Sequence, residues 1–424
     1  MTVQLPKGTR DFYPEDQRIQ NHIFDTWRKA CLRFGYEEYE GPMFEHLELY
    51  TGKSGDEIVK QLYNFVDKGG RDIALRPEMT PTLARLIIQK GPALKKPIKW
   101  FSIPRLFRYE RAQKGRLREF FQLNMDIIGT DSVYAEADLL IGIFSMLRDF
   151  GLQGSDFVIG VSSRKLLATF LTELEAPDAS AVYPVLDRRA KMAADVFAKE
   201  LEAAGLHAEQ IGKLDAFMAC KSVADVQVCV QSEASRAALK ELEDLFNILA
   251  TAGVNDSVQL DLSVVRGLAY YTGIVFEVFD RNRSMRAVAG GGRYDSLTER
   301  LGGQKVPCVG FGMGDVVLAD LLSDRGLLPK SGPSIDFYLV TFGGDMPKLF
   351  EVAAQLRSFG CSCTHALAPA KVGKQMEAAN NAGAKRVVFV DGDKAQPGEL
   401  EYKNLLDGAQ GCATLQQLAK EALQ

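Results

Sequence analysis

The chain has 424 residues, of which 46% are hydrophobic and 25% are charged, and its formal net charge at pH 7 is −4. This composition is typical of a soluble globular protein with two or three domains, and the slightly acidic balance argues against broad coating of DNA while leaving room for a local basic surface. The first residues lack the apolar segment of a signal peptide, and no run of about eighteen apolar residues occurs, so neither secretion nor membrane spanning is expected.

Hydrophobic periodicity and turn residues predict that the chain starts with a helix and continues in strands. The helix is predicted over residues 14–35, where apolar residues recur near helical spacing. A strand and turn follow in YEEYEGPMFEH. RDIALRPEMTPTLARLIIQ predicts a strand that leads into a helix, because Pro77 disfavours helix at Arg76 and Pro81 suits a first helical turn.

Two extended runs around the polar connector AQKGR predict an antiparallel hairpin, and its second run alternates between two faces. One face is apolar and should pack on a core. The other is cationic, then aromatic, then amide and carboxylate, which suits a ligand with phosphates at one end and an amine at the other. A solvated face is the alternative, although Asn and Asp are poor strand formers. The polar face comprises Arg116, Arg118, Phe120, Gln122, Asn124 and Asp126.

The remaining chain divides by composition. A helical insertion is predicted over about residues 163–248, which are rich in Ala, Leu, Glu and Lys, and strand-like sequence resumes at VQLDLSVVRGLAYYTGIVFEVFD. The segment LPKSGPS, residues 328–334, predicts a linker between a domain of residues 1–327 and a small βαβαβ domain of residues 335–424. Seven cysteines without a CxxC pair and four histidines without ligand spacing predict reduced thiols and no protein-bound metal.

Four separated segments resemble one family, the histidyl-tRNA synthetases of class II. The first is PKGTRDFYPED at the N-terminus, with FGYEEYEGPMFE, which resembles motif 1 and whose proline would be Pro42 at a dimer interface. ALRPEMTPTLAR is similar to the Leu-Arg-Pro-Glu segment, and RYERAQKGRLREFFQLNMDIIG resembles motif 2 with its hairpin loop. VVRGLAYYTGIVFE is similar to the histidine-binding signature, followed by GGGRYDSL, which leads to motif 3. PAKVGKQMEAANNAGAKRVVFV resembles the anticodon-binding domain, and the class I signatures HIGH and KMSKS are absent.

The resemblance implies an α+β fold with a class II antiparallel sheet flanked by helices, the helical insertion, and a C-terminal α/β anticodon-binding-like domain. It implies a cytoplasmic homodimer that activates histidine with ATP, accompanied by Mg²⁺, and transfers the product to the 3′ end of a tRNA. Residues 1–327 would then be the catalytic domain.

Activation brings a carboxylate to the α-phosphate of ATP, and the approach of two anions calls for fixed positive charge. By the resemblance, Arg108 bridges the two anions, and Arg266 lies near the α-phosphate where other class II enzymes place a metal; these are the predicted catalytic residues. Adenine would stack on Phe120. The predicted ATP-binding residues are Arg108, Glu110, Arg116, Phe120 and Arg266. The predicted histidine-binding residues are Glu78, Met79, Thr80, Arg108, Gln122, Asp126, Arg266, Tyr270 and Tyr271.

Structural roles are the alternative for several of these residues. Glu78 could merely pair with Arg76, Tyr270 and Tyr271 could be core aromatics, and the glycines of residues 290–292 could serve a turn or bulge. The order of the four segments along the chain favours the site.

The sequence also departs from the family. Val316 and Val317 stand where motif 3 usually ends in Glu-Arg, so the arginine for the γ-phosphate is absent, and Arg116 with Mg²⁺ would have to neutralise the outer phosphates. Ala269, Phe121 and Ala112 replace a common aspartate, histidine and proline.

These departures have two explanations. The chain would belong to a branch that resembles the cyanobacterial and plastid enzymes, or it would be a paralogue that binds histidine and regulates ATP phosphoribosyltransferase without charging tRNA. A noncatalytic RNA-binding protein on the same scaffold is a third. The regulatory paralogues generally lack an anticodon domain, and residues 335–424 resemble one, which favours the ligase.

Overall fold

A computed structural model describes residues 3–51, 59–189, 192–265, 270–329, 332, 334–393 and 395–423. The chain divides into two compact units, one of Met1–Phe12 with Gln17–Leu328 and one of Tyr13–Asp16 with Pro329–Gln424. Within the described ranges, no helix is long and apolar enough to cross a bilayer.

The strands of the first unit form two sheets. They are β1 (Glu37–Glu38), β2 (Phe44–His46), β3 (Tyr63–Val66), β4 (Asp72–Leu75), β5 (Ile98–Ser102), β6 (Arg105–Phe107), β7 (Glu119–Ile128), β8 (Phe157–Ser163), β9 (Val258–Leu260), β10 (Ile274–Asp280), β11 (Ala289–Arg293) and β12 (Cys308–Gly314). The large sheet has the order β1-β5-β7-β12-β11-β10-β8-β9, with β6 paired to β7, and the small sheet has the order β2-β4-β3. In the large sheet, the edge pairs β1–β5 and β8–β9 are parallel, and the other strand pairs are antiparallel.

Helices cover the large sheet and occupy much of the chain between β8 and β9. They are α1 (Pro14–Arg33), α2 (Glu48–Thr51), α3 (Thr80–Lys90), α4 (Tyr134–Asp149), α5 (Arg164–Glu173), α6 (Ala179–Arg188), α7 (Ala194–Ala203), α8 (Ala208–Ala219), α9 (Val223–Cys229), α10 (Glu233–Thr251), α11 (Leu297–Arg300) and α12 (Asp315–Asp324). The predicted start of a helix near Pro81 is confirmed, since this proline lies in the first turn of α3, directly after β4.

The main core lies between the large sheet and the helices packed on it. Trp27 of α1 is fully buried and approaches the sulfur of Met313 on β12, with Nε1 to Sδ at 3.3 Å. Helices α4 and α12 pack on β7 and β12. A buried ion pair also joins the sheet to a helix: Arg293 on β11 contacts Glu136 on α4 with two N–O distances of 2.6 Å. This arrangement fixes the central strands from one side and leaves their other side open to a cavity.

The second unit contains its own sheet with the order β14-β13-β15-β16-β17. Its first three strands are parallel and its last two antiparallel, so the predicted βαβαβ pattern is followed by a hairpin and a helix that the sequence did not predict. The elements are β13 (Ile335–Val340), α13 (Met346–Ser358), β14 (Cys363–His365), α14 (Val372–Asn381), β15 (Ala384–Phe389), β16 (Leu400–Asn404), β17 (Gln410–Ala413) and α15 (Leu415–Ala422).

Candidate active site

A cavity of about 1260 Å³ lies on the open side of the large sheet. Small-molecule sites commonly have about 300–1,000 Å³, so this space can hold two small substrates side by side. The predicted site residues on its wall are Glu78, Thr80, Arg108, Glu110, Arg116, Phe120, Gln122, Asp126, Tyr270 and Tyr271.

Of the two other predicted site residues, Met79 does not line the cavity. The side chain of Met79 is fully buried, and its sulfur lies 3.9 Å from Nη1 of Arg76. Arg266 lies outside the described residues, so its predicted places beside the α-phosphate and histidine remain predictions.

Glycines on β12 make room for the polar side chains of β7. In the antiparallel pair of strands, Gly310 stands opposite Asp126 and Gly314 opposite Gln122. A Cβ on Gly310 would lie 1.8 Å from Oδ1 of Asp126, and a Cβ on Gly312 would lie 2.7 Å from Cδ of Gln122. Contacts this short do not occur in proteins, so Asp126 requires glycine at position 310, and a side chain at position 312 would displace the amide of Gln122.

The glycines of β11 have a related role. Residues 290–292 belong to a strand in the middle of the sheet, so the interpretation as a turn or bulge is wrong. A Cβ on Gly291 would lie 2.1 Å from the backbone oxygen of Gly310. Close packing against the neighbouring strand therefore excludes any side chain there.

The predicted alternation of β7 is confirmed between Phe120 and Asp126. Phe120, Gln122 and Asp126 line the cavity, whereas Leu123 and Met125 lie in the main core. The polar face is not solvated at its far end, because the side chain of Asp126 is only 4% exposed. The end of the strand is a buried wall of the cavity rather than part of a half-exposed surface strand.

The start of β7 differs from the prediction. The strand begins at Glu119, and a turn with Gly115 at φ +73° precedes it, so the period of two does not extend back to Arg118. The guanidinium of Arg118 stacks over Tyr109 at 4.2 Å from the ring centroid instead of facing the cavity. Arg116 reaches the cavity from the turn itself.

The N-terminal segment braces this strand. The backbone N–H of Arg118 donates to the Gly8 oxygen at 2.9 Å. Arg10 donates to Oδ2 of Asp315 at 2.6 Å, and Oδ1 of the same carboxylate accepts from the Phe121 N–H at 3.0 Å. Burial raises the pKa of Asp315, and Arg10 opposes this rise. Gly8 and Arg10 of PKGTRD thus position β7 against the first turn of α12.

At the cationic end of the cavity, the guanidinium of Arg108 is fixed on two sides. Its Nε donates to the Pro77 oxygen at 2.8 Å, and its centre lies 5.2 Å from the centroid of Phe120. Arg116 forms an ion pair with Glu110. Arg286 also lines this end and was missed by the sequence analysis, although RNRSMR is a local basic run just before the glycine strand.

At the opposite end, Tyr270 donates from its hydroxyl to Oε2 of Glu78 at 3.0 Å. Nη1 of Arg76 donates to Oε1 of Glu40 at 2.6 Å. The alternative that Glu78 serves merely to pair with Arg76 is therefore not supported. Tyr270 and Tyr271 are buried in a core cluster and also line the cavity, so they are core aromatics whose role in histidine binding stays a prediction.

Asp126 is a deeply buried carboxyl group of this end. The Tyr294 hydroxyl donates to its Oδ1 at 2.6 Å. Burial raises the pKa of Asp126 to about 7, and the hydrogen bond from Tyr294 opposes the rise. Tyr294 was missed by the sequence analysis, although it directly follows the GGGR segment. Among the described residues, no group of three His, Cys, Asp or Glu side chains is arranged to hold a metal.

The amide of Gln122 gives a first testable prediction. Gln122→Ala should raise the KM for an amino-acid substrate roughly tenfold, because a ligand polar group buried in the cavity would lose its partner. The KM for a nucleotide should change little, since Gln122 lies toward the carboxylate end of β7. Steady-state kinetics with each substrate varied in turn would measure this, with Gln89→Ala on the exposed face of α3 as control. Equal losses for both substrates would contradict the assignment.

Comparisons with known proteins address the identity of the site. A family model described as Histidyl-tRNA synthetase matches residues 8–315, and one described as Anticodon binding domain matches residues 337–424. The chain is 41% identical over 418 residues to a histidine–tRNA ligase of Opitutus terrae, covering 95% of this chain and 94% of that protein. It is 40% identical over 411 residues to the chloroplastic/mitochondrial histidine–tRNA ligase of Arabidopsis thaliana, covering 96% and 84%. The crystal structure of histidyl-tRNA synthetase from Nostoc sp. PCC 7120 matches with a TM-score of 0.83 at 26% identity, covering 100% of this chain and 99% of that one. The predicted class II fold is confirmed.

Proposed function

The chain belongs to the histidyl-tRNA synthetase family and is an aminoacyl-tRNA synthetase, and on this basis we propose that it activates histidine with ATP and transfers it to tRNA. The first step joins the histidine carboxylate to the α-phosphate as histidyl-adenylate and releases pyrophosphate. The second step moves the histidyl group to the 3′ end of the tRNA.

The observation that carries this proposal is the pairing of two chemically different ends in one cavity. Arg108, Arg116 and Phe120 form a cationic and aromatic end suited to a nucleotide triphosphate. Gln122 and Asp126 form a polar end suited to an amine and an imidazole, with Glu78, Thr80, Tyr270 and Tyr271 beside them. The reacting carboxylate and α-phosphate would then meet near Arg108, whose planar fork can contact both anions. In the proposal, Arg266 is the second catalytic arginine.

Binding of ATP would rearrange one ion pair. Glu110 and Arg116 neutralise each other across the turn that contains Gly115. In the proposal, the ion pair between Glu110 and Arg116 breaks. The carboxylate of Glu110 then accepts a hydrogen bond from the adenine amino group, and Arg116 binds the outer phosphates, so each residue exchanges one charge-assisted contact for another. The Mg²⁺ arrives with the triphosphate as part of the substrate.

The regulatory alternative is less well supported. The match of residues 337–424 to an anticodon-binding domain favours a protein that contacts tRNA, because the second unit would have no evident use in a subunit that only senses histidine. A noncatalytic RNA-binding protein would not need the buried carboxyl and amide groups at the histidine end of the cavity.

The proposal extends to organisation and partners. Residues 1–327 would be the catalytic domain with the insertion of about residues 163–248, residues 328–334 the linker, and residues 335–424 the domain that binds the tRNA anticodon. A cytoplasmic homodimer is proposed through the segment of Pro42, where Met43 and Phe44 expose apolar side chains. Sedimentation velocity measures the oligomeric state, and a monomer at micromolar concentration would contradict the dimer.

The decisive experiment is histidine-dependent exchange between ATP and labelled pyrophosphate, followed by charging of total tRNA with labelled histidine. Exchange that requires histidine, with charging of tRNA, is expected. Histidine binding by calorimetry without exchange at any magnesium concentration would support the regulatory alternative. Exchange without charging would retain the first step and remove the second.

A further inference from the structure

Val317 leaves one wall of the phosphate end without a charge. Val317 lies in the first turn of α12 and lines the cavity, and it is only 8% exposed. A valine offers only dispersion contacts, whereas the outer phosphates of a bound nucleotide carry most of its negative charge. Any positive charge on this wall therefore has to come from a residue other than Val317.

Arg286 lies at this wall. A Cβ built on Gly115 would be 3.3 Å from Cγ2 of Val317 and 3.6 Å from Cδ of Arg286, so both side chains border the tip of the same turn. That turn also carries Arg116, and both arginines line the cavity. The aliphatic part of Arg286 therefore borders the same turn as Val317, the turn that contains Gly115. The guanidinium of Arg286 lies close enough to Arg116 for their charges to interact.

The loop that carries Arg286 is held in place. Asp280 at the end of β10 is buried, and its carboxylate accepts from the N–H groups of Ser284 at 3.0 Å and Met285 at 2.8 Å. On the other side of the arginine, the Val288 N–H donates to the Val278 oxygen at 2.7 Å. Anchors on both sides of Arg286 restrict its backbone, so the exposed side chain extends from a fixed point of the loop toward Gly115.

The charges at this end are unbalanced. Glu110 forms an ion pair with Arg116, and within the part of the chain that the structure describes no ion pair joins Arg286 to a carboxylate. Burial lowers the pKa of Arg286, and the positive charge of Arg116 lowers it further, while Glu110 opposes the change. Two guanidinium groups, both protonated at neutral pH, thus face one carboxylate, and a phosphate anion between them would relieve their repulsion.

We propose that Arg286 binds the outer phosphates of ATP and stands in for the arginine that Val317 replaces. The proposal rests on the proposed function for the identity of the nucleotide, but it concerns a residue to which neither motif 2 nor motif 3 assigns a role. Arg286 reaches the phosphates from the loop between β10 and β11, whereas Val317 belongs to α12, so the same charge would come from a different part of the chain. A guanidinium can contact two phosphate oxygens at once.

The test compares ATP with AMP, because AMP lacks the outer phosphates. Arg286→Gln retains a stem that can pack over Gly115 and Val317 but removes the charge. Calorimetry should show an ATP affinity about tenfold weaker or more, with the AMP affinity unchanged. Arg281→Gln is the matched control, since it removes an exposed arginine of the same loop that does not line the cavity. Equal changes for ATP and AMP, or no change for ATP, would overturn the proposal.

A second variant tests whether the two positions are equivalent. Adding Val317→Arg to Arg286→Gln should recover part of the lost ATP affinity, because a guanidinium would return to the same wall. A double variant that binds ATP no better than Arg286→Gln would show that the two positions serve different groups. These binding measurements do not depend on pyrophosphate exchange. If the unmodified protein binds ATP but shows no exchange, the proposed function fails while the assignment of Arg286 is still decided.

Discussion

Replacing Arg108 with lysine should slow histidine-dependent pyrophosphate exchange by about 10²- to 10³-fold, the loss typical when one transition-state donor is removed. Lysine keeps the charge but loses the planar fork that can bridge a carboxylate and a phosphate. The structure prepares Arg108 for this role, since the Pro77 oxygen accepts from Nε at 2.8 Å and leaves the other guanidinium nitrogens for ligands. The ring of Phe120 limits its movement on one side.

The matched control for this prediction is Arg111→Lys. Arg111 belongs to the same hairpin connection, but its side chain is exposed and does not line the cavity, so its exchange rate should stay within about twofold of the unmodified protein. The decrease for Arg108→Lys should be in kcat as well as in kcat/KM, because the contact strengthens as the carboxylate attacks. A rate within a few fold of the unmodified protein would show that Arg108 only stacks on Phe120.

The part of the site on β7 could be predicted because a strand repeats every two residues. Once Phe120 is assigned to one face, Gln122 and Asp126 must share it, whatever the rest of the chain does. The same rule gave a wrong start for the strand, because it cannot detect where a turn breaks the period. Gly115 adopts a positive φ and ends the alternation, which places Arg118 against Tyr109 and Gly8.

Residues brought together from distant parts of the chain were harder to predict. Tyr294 reaches Asp126 across 168 positions, and no local pattern indicates that hydrogen bond. Arg286 lies in an irregular loop, where a run of arginines would ordinarily be assigned to the surface. The sequence shows that Val317 lacks a charge. That Arg286 borders the same turn as Val317, the turn that contains Gly115, could be seen only in the folded structure. The unpredicted hairpin of the second unit has strands of only five and four residues, too short for a clear period.

The buried carboxyl group of Asp126 gives the last prediction. Asp126→Asn should raise the KM for histidine by about 10²-fold at pH 8, since the loss of a charge-assisted hydrogen bond in a buried site costs about 1.5–3 kcal/mol. The KM for ATP should change little and serves as the internal control. Asn keeps the size of the side chain and can still accept from Tyr294, so the fold of β7 against β12 should be retained.

The pH dependence separates the charge of Asp126 from its shape. With a pKa of about 7, the group is mostly protonated at pH 6 in the unliganded protein, so the ratio of histidine KM values between variant and unmodified protein should be about tenfold smaller at pH 6 than at pH 8. The imidazole of the substrate titrates equally in both measurements and cancels in the ratio. Because folding raises this pKa, the protonated form favours the folded state, and its contribution to the free energy of unfolding is lost as the pH rises through about 7. Tyr294→Phe removes the hydrogen bond that lowers the pKa of Asp126. In this variant, the pH at which the histidine KM changes should therefore be higher than in the unmodified protein. A ratio that stays constant between pH 6 and pH 8 would show that histidine is recognised without the charge of Asp126.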